Sequence, residues 1–99
     1  PDFKIEQLKA AFIDVLKRAE IFSTHNIQSE TLSVRERMSS ILSVLKVNDN
    51  VLFEELFNVQ EGRLGVIVTF LAVLELVKES LIDIIQNESM SNIYIALKS

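Results

Sequence analysis

The chain has 99 residues, a net charge of −4, 48% hydrophobic and 24% charged residues, two glycines and one proline. That is one domain, able to bury roughly 65% of its unfolded surface and with little room for long linkers. The acidic balance argues against a polyanion as main partner, and the absence of cysteine excludes a disulfide frame or thiolate zinc site, as suits a reducing cytoplasm. Glu75, Lys78 and Glu79 interrupt the longest apolar run before it reaches the roughly 18 residues of a membrane span, and no secretory leader pattern stands at the start. The chain opens on Pro1 and not on Met, which reads as a piece of a longer polypeptide.

From Asp2, an expected N-cap, to Phe22, apolar Ile5, Leu8, Phe12, Val15, Leu16 and Ala19 recur at helical spacing, with Lys4, Glu6, Lys9, Asp14, Lys17 and Arg18 between them. This predicts an amphipathic helix. "STHNIQSETLS" breaks the period and reads as linker or short strand. Ser33 followed by Glu36 forms a capping box for a second helix from Val34 to Lys46, whose inner face is Val34, Met38, Ile41, Leu42 and Leu45. "VNDN" is a turn, Val51 and Leu52 suit only a tiny strand, and "FEELF" reads as one short helix with Phe53, Leu56 and Phe57 inward. A long helix is expected from Arg63 to about Ser80. "LIDIIQ" and "IYIAL", joined by "NESMSN", then make a β-hairpin. This order is a mainly helical winged helix, a variant of the helix-turn-helix module.

"SVRERM", "LFEELF", "VTFLAVLELVKES" and "NIYI", in that order, resemble the C-terminal domain of the bacterial kleisin, segregation and condensation protein A. The resemblance covers about Leu32 to Leu97. "TFLAVLEL" with Lys78 is its most specific part. Two departures stand out: the family usually has Gly where Ser80 stands, and an aromatic-Gly-Asp-like wing tip where this chain has "MSN". The resemblance implies a cytoplasmic, nucleoid-associated, non-catalytic subunit of an SMC condensin complex, whose winged helix docks on an SMC ATPase head. It divides the chain into residues 1–26, a helix leading from the family's central region, and residues 27–99, the winged helix. Segregation and condensation protein B is expected to bind through regions absent here.

No catalytic, cofactor or metal site is predicted. His25 beside Glu30 reads as an exposed loop histidine, because zinc needs three or four close ligands. Glu54 and Glu55 point about 100° apart on a helix and cannot act as one carboxylate pair. Gly62 and Gly65 fit neither a P-loop nor a dinucleotide spacing and read as a turn plus close helix packing. Arg35, Glu36 and Arg37 read as a solvated, mixed-charge helix start.

The competing function is a winged-helix transcription regulator, dimerising through the first helix and reading DNA with the third helix and wing. A scaffold module with an unrelated partner is a third reading. From Arg63 onward, however, the cations Arg63, Lys78 and Lys98 face Glu75, Glu79, Asp83 and Glu88, so no nucleic-acid binding is expected and none to membranes. The third helix is instead apolar over more than the roughly 100° that a surface helix needs. Ile67, Phe70, Leu71, Leu74 and Val77 share one face; Val66, Thr69, Val73 and Leu76 share the next, and Val68 and Ala72 lie beyond. The second stripe is the expected docking surface, with Phe70 and Leu74 as candidates should that stripe be core. The strand edge of Ile93, Tyr94 and Ile95 is the expected second contact, with Tyr94 as an amphipathic anchor.

Overall fold

The structure, a computed structural model, describes residues 3–23, 33–86 and 92–98. The linker reading, His25 with Glu30, the 26/27 boundary and the wing tip lie outside them. Three helices carry the fold: α1 (Phe3–Ser23), α2 (Val34–Val47) and α3 (Gly62–Lys78). Between α2 and α3 come β1 (Val51–Leu52) and two 3₁₀ turns, Phe53–Leu56 and Val59–Glu61; after α3 come β2 (Ile82–Gln86) and β3 (Ile93–Leu97). The arrangement is a mainly helical winged helix with α1 packed against it.

Each element starts and stops for a local reason. The Ser33 hydroxyl accepts from the Glu36 N–H at 3.1 Å, as the capping box requires, and α2 ends at Asn48, whose side-chain amide donates to the Val44 carbonyl at 2.9 Å. "FEELF" differs from the single helix expected. Its first turn stops at Phe57, and the Asn58 side chain, accepting from the Gln60 N–H at 3.0 Å, opens a second. At the end of α3, Leu81 N–H donates to Leu76 C=O and Ser80 N–H to Val77 C=O, both at 3.0 Å, with Ser80 at φ 63°. That is a Schellman stop with serine in the left-handed position that glycine usually takes.

The sheet order is β1-β3-β2, all antiparallel. The expected two-stranded wing is therefore three-stranded, and β3 is its middle strand: Val51 and Leu52 pair with Ile95 and Tyr94, and β2 pairs along the other side. The strand was expected to present a free edge, but β1 takes part of it, and among the described residues the outer unpaired edge belongs to β2. The inner face of the sheet, with Ile82, Ile84, Ile93 and Ile95, closes a core that also holds Ile41 and Leu45 of α2, Phe53, and Leu8 of α1. Phe12 of α1 stacks on Phe70 of α3, ring centroids 4.1 Å apart and planes 8° from parallel. Phe53 meets both Phe70 and Phe57 edge-on. Burying such side chains stabilises the fold by about 1.5–3 kcal/mol each, before entropy is counted.

Candidate functional site: the outward face of α3

The face of α3 turned into the protein is Gly62, Gly65, Val66, Thr69, Ala72, Val73 and Leu76, with Phe70 at its margin. Val66, Thr69, Val73 and Leu76 are fully buried, so the stripe expected to dock a partner is closed to one. The reason is residue size. Gly65, Thr69 and Ala72 lie among the branched residues and let neighbouring helices approach, and Val15 and Ala19 of α1 close directly on Val66. The Thr69 hydroxyl is satisfied within the helix by the Gly65 carbonyl at 2.9 Å. A Cβ at Gly65 would collide with the Glu61 side chain, and Glu61 is held by Arg37 of α2 at 3.1 and 3.2 Å.

Turning that face inward turns another outward. Leu64 is 68% exposed and Leu71 46%, two turns apart and about 10 Å along the helix axis. Ile67, Val68, Leu74 and Glu75 lie half-buried between and beside them. Of the face grouped as Ile67, Phe70, Leu71, Leu74 and Val77, Leu71 is at the surface, whereas Phe70 is buried and Leu74 and Val77 pack at the core's margin. On the sheet, Ile93 and Ile95 are buried and unavailable as side-chain contacts. Tyr94 lies on the outer face in a row with Leu52 of β1 and Ile85 of β2. The missed signal was the small-residue pattern on α3, since a face carrying Gly and Ala marks the close helix approach.

Two of the cations from Arg63 onward are held in ion pairs. Arg63 donates to Glu20 of α1 through two nitrogens, at 3.0 and 2.9 Å, which lowers the Glu20 carboxyl below its ordinary value and raises the guanidinium. Lys98 pairs with Asp83 at 3.7 Å. Of the three cations counted from Arg63 onward, these two are paired with carboxylates while staying 56% and 51% exposed. Among the described residues no group of three or more His, Asp or Glu is placed to hold a metal ion, and no helix is long and apolar enough to cross a membrane.

Three helices, a small antiparallel sheet and an apolar outward face on the third helix define a winged helix. Residues 2–98 match the family described as Segregation and condensation protein ScpA, and the chain belongs to that family. It is 53% identical over 95 residues to segregation and condensation protein A of Xylella fastidiosa, covering 96% of this chain and 32% of that protein. To the protein of that name from Coxiella burnetii it is 44% identical over 98 residues (99% and 37% covered), and to that of Listeria monocytogenes 35% over 98 residues (95% and 39%). The chain thus spans about a third of the length of these relatives.

Proposed function

We propose that this domain is the non-catalytic docking module of a kleisin, holding an SMC ATPase head through the outward face of α3 in a complex that condenses and segregates chromosomes. The observation that carries the reading is the exposure of Leu64 and Leu71 on a helix whose opposite face already fills the core. Leucines at that spacing with Ile67 and Val68 between them form a helix-in-groove anchor. Tyr94, beside Leu52 and Ile85, is a secondary contact on the sheet. Segregation and condensation protein B would be held by family regions outside this chain. The family resemblance supplies the partner, and the surface charge supports protein over DNA.

The test is co-purification with an engineered SMC head. Leu71→Glu places a carboxylate where the partner would exclude water, which costs several kcal/mol in a complex and little in water. Binding should fall by at least a hundredfold while circular dichroism and the melting midpoint stay near wild type; Tyr94→Ala should weaken it less. Normal head binding by Leu71→Glu would remove α3 from the interface. A micromolar, steeply salt-dependent affinity for duplex DNA, measured alongside, would favour the transcription-regulator reading instead.

A further inference from the structure

The outer edge of β2 borders a cleft away from the outward face of α3, with the core residue Ile84 in its wall. Lys4 and Gln7 of α1 stand across from Asp83, Ile84, Ile85 and Gln86 around a space of about 680 Å³. The register fixes which backbone groups point into it. Lys98 N–H donates to Leu81 C=O at 3.0 Å, so that facing pair is hydrogen-bonded. Bonded and non-bonded pairs alternate along an antiparallel ladder, which makes Asp83 with Ala96 and Ile85 with Tyr94 the next bonded pairs. Ile82, Ile84 and Gln86 therefore turn their N–H and C=O groups away from β3, toward the open side.

Among the described residues, one side-chain atom and one cation at the cleft lack partners. The Gln7 Oε1 is shut off from solvent and accepts no hydrogen bond among the described residues. Lys4 makes no ion pair among the described residues, whereas Asp83 opposite is engaged by Lys98 at 3.7 Å. Edge strands are commonly blunted by proline, bulges or lysine. This one has no proline, bulge or lysine, its one charge, Asp83, is engaged by Lys98, and Ile85 is 42% exposed.

We propose that this cleft takes an extended peptide segment of a partner protein, added beside β2 as a fourth strand, with an acidic side chain opposite Lys4. Donors and acceptors repeating every second residue match an extended chain; a helix has already spent its own. The Gln7 Oε1, buried beside the cleft without a partner among the described residues, would gain one if the side chain moves to meet the incoming backbone. A second copy of this chain, pairing β2 on β2, would satisfy the backbone but bring its own Lys4 into the same cleft, like charge against like. The cleft shares no residue with the outward face of α3, and Ile85 alone borders both it and the secondary contact at Tyr94, so its test is read on peptide binding and not on head binding.

The probe is a blocked peptide of alternating valine and glutamate, titrated into the 15N-labelled 99-residue chain. Saturable shifts are expected at the Ile82, Ile84 and Gln86 amides and the Gln7 side-chain amide. N-methylating alternate peptide nitrogens should weaken binding by roughly tenfold or more, since each lost bond leaves a polar group unpaired. Exchanging glutamate for lysine should weaken it about two- to fivefold, the range of an exposed ion pair, and Lys4→Gln should erase that difference. Gln86→Pro removes an outward N–H that β3 does not use; it should lose the peptide and keep the cross-strand contacts between β2 and β3. Absence of these shifts at millimolar peptide, or indifference to N-methylation, overturns the proposal. A concentration-dependent dimer that Gln86→Pro dissociates overturns it too, by giving the edge to a second copy.

Discussion

Ser80→Gly should stabilise this domain. Ser80 occupies the C′ position of the α3 stop at φ 63°, and the two reverse bonds, Leu81 to Leu76 and Ser80 to Val77, hold it there. A residue with a Cβ costs roughly 1–2 kcal/mol in the left-handed region relative to its right-handed conformation. Glycine does not bear that cost but loses more backbone entropy on folding, about 0.4–1 kcal/mol. Ser80 is exposed, so removing its side chain forfeits no burial. The difference leaves a gain of about 0.5–1 kcal/mol, which for a domain of this size raises the melting midpoint by about 2–8 °C. Thermal and urea unfolding followed by far-UV circular dichroism measure it. Ser80→Ala, which keeps the Cβ, should stay close to wild type, and Ser80→Val should fall below it. A midpoint unchanged or lowered by Ser80→Gly would refute the argument that strain at C′ is stored in the folded state.

Leu76→Ala removes a fully buried side chain from the inner face of α3 and should cost about 2–5 kcal/mol in urea unfolding; a loss under about 1 kcal/mol would mean this face is not core. Ser33→Ala should cost about 0.5–2 kcal/mol through loss of the bond to the Glu36 N–H, with head binding intact once folded, and an unchanged urea midpoint would dismiss the cap. Glu20 has its folded pKa lowered, first by its hydrogen bond from Arg63, so the contact helps above the ordinary carboxylate value and is lost as acid carries the solution through the folded one. Arg63→Gln should return the Glu20 carboxyl to its ordinary value in a side-chain NMR titration, and a wild-type Glu20 already titrating there would contradict the pairing.

Periodicity and punctuation located nearly every element. The α2 start was legible because Ser33 and Glu36 are a local device whose geometry needs nothing from the rest of the chain. The same holds for the hairpin strands and for the inward Phe53. Two features depended on tertiary neighbours and were hidden for that reason. Two residues, Val51 and Leu52, give no signal of the strand they join, so the pairing of β1 onto β3 appears only in the assembled sheet. The facing of α3 was hidden because its apolar residues surround the axis, and a helical wheel weighs hydrophobicity without weighing size. Val66 and Val73 could serve either role; Gly65 and Ala72 beside them could not, since small side chains offer a partner little to grip while allowing α1 and α2 to pack closely.

This division of α3 separates two kinds of substitution on one helix. Val66, Thr69, Val73 and Leu76 are held by contacts the chain makes with itself, so changes there alter stability first and binding only through the folded fraction. Leu64 and Leu71 keep 68% and 46% of their surface exposed, so changes there should disturb the fold less than changes on the inner face and fall more on whatever the helix meets. In the winged helices that read DNA, the outward position of the third helix belongs to cations. Here Arg63 is bound back onto α1 by Glu20, and leucine holds the centre of the face. The energy on offer at that surface is therefore burial, roughly 25 cal/mol per Å² of apolar area, without the counterion release that draws proteins to nucleic acid. Its binding should accordingly change little with salt, where a phosphate-binding helix would lose its partner.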